Sequence, residues 1–285
     1  MKFSRQVIVL GAAAGVAVCA CGLGIVGSEP APIAEDGGGG GTAPPVVGPV
    51  VEAGPPDAGD VDAADGGPHG VALELDGLDD FVRAERTVAD TFTLEAWIQT
   101  TATLDGTKFF EGVPILWADV ALDRDDFGLG ILGGKLAFGA TGTTVVSTAT
   151  VNTGAWVHVA VVRKKSPASI ALFVNGIADA TGTGPNRSLT DSPTLDIGGN
   201  LIDKRFFKGR IREVRVWNVA RTGAEIAGGM DLALTGNEPG LMAYWRFADG
   251  SGTTAADSSG NGNPGTLGIA DAGADASSRP TWVTF

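Results

Sequence analysis

The sequence predicts an all-β protein: an antiparallel two-sheet jelly-roll sandwich with one short surface helix, preceded by a signal segment and a disordered linker. Three observations carry this reading. From Gly70 onward, apolar residues recur with a period of two rather than 3.6. The chain contains 44 glycines, and Gly, Asn, Asp and Ser cluster between the apolar runs, where tight turns are needed. Before Gly70 the composition is of another kind, an apolar run followed by Pro, Gly, Ala and Asp.

Residues 1–27 read as an export signal. Lys2 and Arg5 form a positive start, and Val7 to Val18 supply the apolar stretch. The context Val18-Cys19-Ala20-Cys21-Gly22 resembles a bacterial lipobox, with an aliphatic residue at −3, a small one at −1 and glycine after the cysteine. Cys21 is therefore the candidate for lipidation; Cys19 fits worse, because Val18 would stand at −1. A plain cleaved signal, or an uncleaved anchor helix running to about Val26, stays open beside it. The implied location is the cell envelope, as an outer-membrane lipoprotein, or the exterior. The membrane enters as a partner only through a lipid anchor.

Residues 28–69 contain no aromatic side chain and a run of five glycines at 37–41. Such a segment cannot bury enough apolar area to offset its ordering entropy, so it reads as a tether. At about 40 residues it would span roughly 35 Å, at 5–6 Å × √n.

The chain carries a net charge of −13, with no Lys or Arg between Cys21 and Arg83. Nucleic acid is excluded as a partner, since no basic stripe is present to neutralise phosphates. The only cysteines are Cys19 and Cys21, so residues 70–285 can hold neither a disulfide nor a cysteine-ligated zinc. Two histidines, His69 and His158, leave little for imidazole chemistry.

Within 70–285 the strands follow one another. FTLEAWIQ (92–99) sets Phe92, Leu94, Ala96 and Ile98 against Thr93, Glu95, Trp97 and Gln99. WVHVAVVR (156–163) is apolar on both faces, as a strand covered on two sides must be. SIALFVNGIADAT (169–181) is a hairpin turning at Asn175-Gly176. KLAFG, TVVST, TLDIGG, REVRVW and LMAYWRF are further short strands. In LMAYWRFA the alternation predicts Leu241, Ala243, Trp245 and Phe247 on the core face. Thr222-Gly223-Ala224-Glu225 has the form of a capping box and starts the one helix, which Gly228-Gly229 ends.

In order, LELDGLDDFV, FTLEAWI, GAWVHVAVVR, LFVNG, LDIGG, FKGRIREVRVWNVART and LMAYWRFADGSGTTAADSSGNGNPGTL form a series that resembles the laminin-G-like, concanavalin A-like or pentraxin-like jelly roll of bacterial proteins. The resemblance covers about 70–285. It implies two antiparallel sheets, one concave, with binding loops at an edge, and often a calcium ion tying loops together. It fixes no single function.

Calcium is the one cofactor left open. Asp257 and Asn261 in DSSGNG, with Asp249 nearby, are the candidate ligands, since calcium takes six to eight oxygens. The same residues also make ordinary turns. Asp123, Asp125 and Asp126 have D-x-D spacing but lack the rest of an EF-hand loop, and read as a solvated acidic loop. Asp79-Asp80 reads as a turn leading into a strand. Trp97, Trp156, Trp217 and Trp245 fall in strand patterns and are assigned to packing, whereas Trp117 and Trp282 are freer to be exposed. His158 reads as a packed histidine.

No catalytic residue is assigned: no E-x-D-x-x-E run, G-x-S-x-G, P-loop or H-E-x-x-H occurs, and Glu95 and Glu213 each stand alone. The expected function is a non-catalytic, extracytoplasmic binding or adhesion module that recognises a glycan or an envelope or extracellular protein. A calcium-dependent lectin and a glycoside hydrolase with an unrecognised carboxylate pair are the alternatives.

Overall fold

The fold is that of a computed structural model, which describes residues 70–120, 126–268 and 279–285. The signal segment, Cys21, His69, the linker, Asp123 and Asp125 lie outside these residues. Among the described residues, no helix is long and apolar enough to cross a membrane.

The strands are β1 (Val71–Asp76), β2 (Val82–Glu85), β3 (Phe92–Gln99), β4 (Val113–Ala118), β5 (Phe127–Leu132) and β6 (Lys135–Ala140). They continue with β7 (Thr143–Thr150), β8 (Trp156–Lys164), β9 (Ser169–Val174), β10 (Ile177–Gly182), β11 (Thr194–Ile197) and β12 (Gly199–Asn200). The last are β13 (Arg205–Phe206), β14 (Lys208–Trp217), β15 (Leu241–Trp245), β16 (Thr254–Ala255), β17 (Gly265–Leu267) and β18 (Thr281–Thr284), with helix α1 (Gly223–Gly229) between β14 and β15. The first sheet runs β10-β9-β8-β3-β14-β1-β18, with β15 also pairing with β14. The second runs β16-β17-β2-β11-β4-β5-β6-β7. A small ribbon, β12-β13, stands apart. Every pairing in the two large sheets is antiparallel, which confirms the expected sandwich.

The core lies between the sheets. Phe92, Leu94, Ala96 and Ile98 of β3 meet Phe127, Leu129 and Ile131 of β5 and Leu136, Phe138 and Ala140 of β6. The opposite face of β3 is buried as well. There Thr93, Glu95 and Trp97 sit beneath the 218–234 segment and α1, which closes over the first sheet. This cover explains the doubly apolar β8: Val157, Val159 and Val161 enter the main core, while Ala160 and Val162 pack against Ile226 of α1. Thr222 accepts from Glu225 N (3.2 Å) and Glu225 Oε2 accepts from Thr222 N (2.6 Å), closing the expected capping box. The helix ends at Gly229, with Met230 as its C-cap. Asn175 and Gly176 both take positive φ (49° and 74°), as a two-residue type I′ turn requires.

One facing differs from expectation. Ala243, Trp245 and Phe247 enter the main core, but Leu241 joins Trp217 and Tyr244 in a separate cluster. The reason is a register shift. Val216 pairs with Ala243 and the next residue, Trp217, pairs with Leu241, so Met242 is the extra residue of a bulge that inverts the alternation.

Candidate functional site

A row of residues crosses the outer face of the second sheet: Arg83 (β2), Asp196 (β11), Trp117 (β4), Gly128 (β5), Gly139 (β6) and Thr144 (β7). Its first pair is bidentate, with Arg83 Nε to Asp196 Oδ1 and Arg83 Nη2 to Asp196 Oδ2 both at 2.7 Å. Burial pushes the Asp196 carboxyl up, partly offset by Arg83. The glycines make the rest of the face flat. A Cβ at Gly128 would run into the Trp117 ring, and one at Gly139 into Phe109. Two aromatic rings therefore lie on backbone where side chains would otherwise stand. Phe109 and Trp117 are 5.5 Å apart at 30°.

Above this layer opens a cavity of about 630 Å³, lined by Phe109, Phe110, Asp119, Asp126, Arg187 and Asp203 among others. Each is set in place by local bonds. Phe109 and Phe110 lie on a 3-10 turn whose preceding N–H groups, of Thr107 and Lys108, donate to Glu111 Oε2 (2.6 and 2.8 Å). Phe109 N donates to Thr144 Oγ1 (3.1 Å), tying that turn to β7. Asp203 follows an Asx turn in which Asn200 Oδ1 accepts from Ile202 N and Asp203 N (both 3.1 Å). Buried Arg163 of β8 donates to the carbonyls of Pro185 (2.8 Å) and Arg187 (2.5 Å), fixing the strand of loop that carries Arg187. Trp117 Nε1 reaches Asp119 Oδ2 at 3.4 Å.

Asp126 has the most perturbed carboxyl of the site. Burial, and then a hydrogen bond and like charge from Asp119, push it up to about 7. Its Oδ1 is buried without a partner. One proton is shared within the pair, so toward the cavity that both residues line the pair offers carboxyl oxygens as acceptors beside an aromatic wall. Phe110, 42 % exposed, supplies the accessible ring. Such a set can bind a polyhydroxylated ligand: hydroxyls to the carboxyls and an apolar C–H face to the ring.

The sequence-derived candidates are placed differently. Asp257 Oδ1 accepts from Tyr244 N (3.0 Å) and Ser259 N (2.9 Å); Oδ2 accepts from Ser259 Oγ (2.8 Å) and Asn263 N (2.9 Å). Burial raises this carboxyl, but the bonds from Asn263, Ser259 and Tyr244 outweigh it and hold the group below the ordinary range. Asn261 Nδ2 donates to the carbonyls of Leu241 (2.9 Å) and Met242 (3.3 Å). Asp249 Oδ1 accepts from Ala256 N at 3.2 Å. Each of the three binds the local chain. A cation on Asp257 would have to compete with four donors already in place, so the geometry supports the turn reading of this loop. Asp257→Ala is expected to cost about 1–3 kcal/mol, as for lost charge-assisted hydrogen bonds, by an amount that calcium or chelator does not change. Urea melts in both conditions measure this; a loss seen only with calcium present would return Asp257 to the ligand role.

One further expectation is corrected. Trp117 is not exposed: only 2 % of it is accessible, because Gly128 lets its ring lie flat on β5. Trp282 is half-buried, its Nε1 donating to Gly252 O at 3.0 Å. Of the acidic run Asp123, Asp125 and Asp126, Asp126 alone is among the described residues; it stands half-buried directly before β5. His158 is packed as expected, fully buried against Trp97 with Nε2 3.4 Å from Glu95. The signal that reveals the outer face is the glycine alternation in FGLGIL and the glycine of KLAFGA, which put small residues side by side across two strands.

The family model described as the concanavalin A-like lectin/glucanases superfamily matches residues 76–227, and the chain belongs to that superfamily. No curated protein matches the chain. Among solved structures, the chain is similar to a Bacteroides ovatus protein that carries the provisional name of carbohydrate binding protein. The TM-score is 0.59 and the identity 21 %, over 76 % of this chain and 60 % of that one. It is also similar to the heptameric pentraxin of Limulus polyphemus (TM-score 0.49, 13 % identity, 71 % and 96 % covered). A third likeness is to the sialidase carbohydrate-binding domain of Ruminococcus gnavus bound to sialyllactose (TM-score 0.45, 14 % identity, 56 % and 96 % covered).

Proposed function

We propose that this member of the concanavalin A-like superfamily is a non-catalytic glycan-binding module, exported and held at the cell envelope by Cys21 and the 28–69 tether. The observation that carries the glycan reading is the outer face of the second sheet: two rings seated on Gly128 and Gly139 under a cavity of about 630 Å³ that joins Phe110 to the Asp119–Asp126 pair and Arg187. Its volume lies within the range of small-ligand sites, roughly 300–1,000 Å³. The superfamily membership and the provisional name of the Bacteroides ovatus protein agree with a sugar as ligand.

Catalysis is not supported by this geometry. Glycosidase carboxyls stand about 5–10 Å apart across the scissile bond. Asp119 and Asp126 instead hydrogen-bond to each other, leaving no room for a bond between them. Glu95 and Glu213 are buried beneath the 218–234 segment and bonded to Arg221 and Arg215.

A glycan array with the full chain, followed by calorimetry on the sugars it retains, tests the proposal. Phe110→Ala is expected to weaken binding at least about tenfold, the effect of one lost aromatic anchor, while the circular dichroism spectrum stays unchanged. Retention of no glycan, or equal affinity in Phe110→Ala, would overturn it.

A further inference from the structure

The hairpin between β6 and β7 turns on two residues, Thr141 and Gly142, and both line the glycan cavity. Both take positive φ, 47° and 89°, as a two-residue type I′ turn requires. Glycine or asparagine is the ordinary first residue of such a turn, because a side chain branched at Cβ crowds the backbone there. Two other hairpins follow that rule: Gly133-Gly134 (57° and 77°) joins β5 to β6, and Asn175-Gly176 joins β9 to β10. Among the described residues, Thr141 is the only β-branched residue at positive φ. The turn's own bonds do not ask for threonine. Its N–H donates to Asp126 O at 3.3 Å, a bond that any residue except proline would make. A Cβ at Gly142 would meet open space, so the turn is not packed against the rest of the protein at that point. Backbone strain of this kind clusters at binding sites, where the side chain it holds is needed.

We propose that Thr141 is a ligand-contacting residue of this cavity, kept in an unfavourable backbone conformation because its hydroxyl binds the sugar. The inference rests on the glycan reading and adds a residue to it. The bond from Thr141 N to Asp126 O sets the threonine beside the Asp119–Asp126 pair, at the same cavity. The carboxyl oxygens of the pair accept hydrogen bonds; a threonine hydroxyl also donates one, and rotates to suit its partner. The pair and Thr141 can therefore receive two hydroxyls of one sugar, the first as acceptor and the second as donor, while Phe110 meets its C–H face. Glycine or asparagine in the turn would relieve the backbone but take this hydroxyl away.

The test measures affinity and stability together, on the full chain with the sugar selected by the glycan array. Thr141→Val keeps the branched shape and removes the hydroxyl. Calorimetry is expected to show binding weakened about three- to tenfold, as for one lost hydrogen bond. Thr141→Ser keeps the hydroxyl and is expected to bind within about twofold of the unsubstituted chain. Thr141→Gly relieves the backbone. It is expected to raise the melting temperature by at least about 2 °C while weakening binding as Thr141→Val does. Unchanged affinity in Thr141→Val and Thr141→Gly would overturn the inference. So would a lower melting temperature in Thr141→Gly, or a loss of affinity in Thr141→Ser as large as in Thr141→Val. Phe110→Ala separates these results from failure of the glycan reading. Binding lost in Phe110→Ala but intact in Thr141→Val removes only the role of Thr141, whereas no binding by the unsubstituted chain removes both.

Discussion

Trp245→Ala is expected to destabilise the domain by about 3–5 kcal/mol, the usual cost of removing a large buried ring. Trp245 is fully buried in the main core, with Ala243 and Phe247 beside it. Its Nε1 donates to Asn263 O at 2.9 Å, so the side chain also fastens the 249–263 loop to β15. Asn263 in turn bridges to β2: its Oδ1 accepts from Glu85 N and its Nδ2 donates to Glu85 O, each at 3.0 Å. One ring therefore holds β15, the loop and an inner strand of the second sheet together. A loss of this size is a large share of a typical total of about 5–15 kcal/mol. Urea unfolding followed by far-ultraviolet circular dichroism measures it. Trp245→Phe, which keeps much of the volume but not the N–H, is expected to lose less. A loss below about 1 kcal/mol for Trp245→Ala would show that the ring is not a core element.

Arg215→Ala is expected to cost a similar amount, about 3–5 kcal/mol, for an electrostatic reason. Arg215 is fully buried on the covered face of the first sheet. Nη1 donates to Gly229 O (2.8 Å); Nη2 donates to Leu232 O (2.7 Å) and to Glu213 Oε2 (3.0 Å). Tyr244 donates its hydroxyl to the same Glu213 oxygen. Burial, then the Glu213 charge, pushes the Tyr244 hydroxyl up to about 12, which keeps it a donor at neutral pH. Removing Arg215 frees the carbonyls at the end of α1 and leaves the buried Glu213 with Tyr244 and only the longer contact to Arg246, whose Nε is 4.0 Å from Oε1. The double variant Glu213→Leu/Arg215→Met removes both charges and is expected to be more stable than Arg215→Ala alone, because it leaves no uncompensated ion. Guanidinium unfolding of the three proteins measures this. A double variant no more stable than the single one would contradict the assignment of the cost to an unpaired charge.

The sandwich was legible because period two, turn glycines and Asn175-Gly176 are local signals that tertiary contacts reinforced. The core faces of β3 and β8 and the cap of α1 follow from side-chain spacing alone. Leu241 was not legible, since the bulge at Met242 is set by pairing with β14, far away in sequence. Glu95 and Arg215 look solvated in a strand pattern, and only the 218–234 cover, with Arg221 reaching Glu95 at 2.7 Å, makes them a buried array.

The candidate site was the least legible part. Its aromatics come from a 3-10 turn and β4, its acids from the ends of β4 and β5, and its arginine from a loop held by Arg163. No spacing joins Phe110, Asp119, Asp126 and Arg187 in sequence; pairing of β4, β5 and β6 brings them to one face. Asp257 drew attention because calcium ligands and turn formers are the same residue types, and only its four hydrogen bonds separate the two uses.

The central claim is that the outer face of the second sheet takes a glycan, and amide chemical-shift mapping with an array-selected sugar tests it most directly. The expected result is saturable shifts concentrated at Phe110, Asp119, Asp126, Arg187 and Asp203, absent in Phe110→Ala. Shifts concentrated instead in the 249–263 loop or on the 218–234 cover of the first sheet, with the amides around Phe110 and Asp126 unmoved, would contradict it.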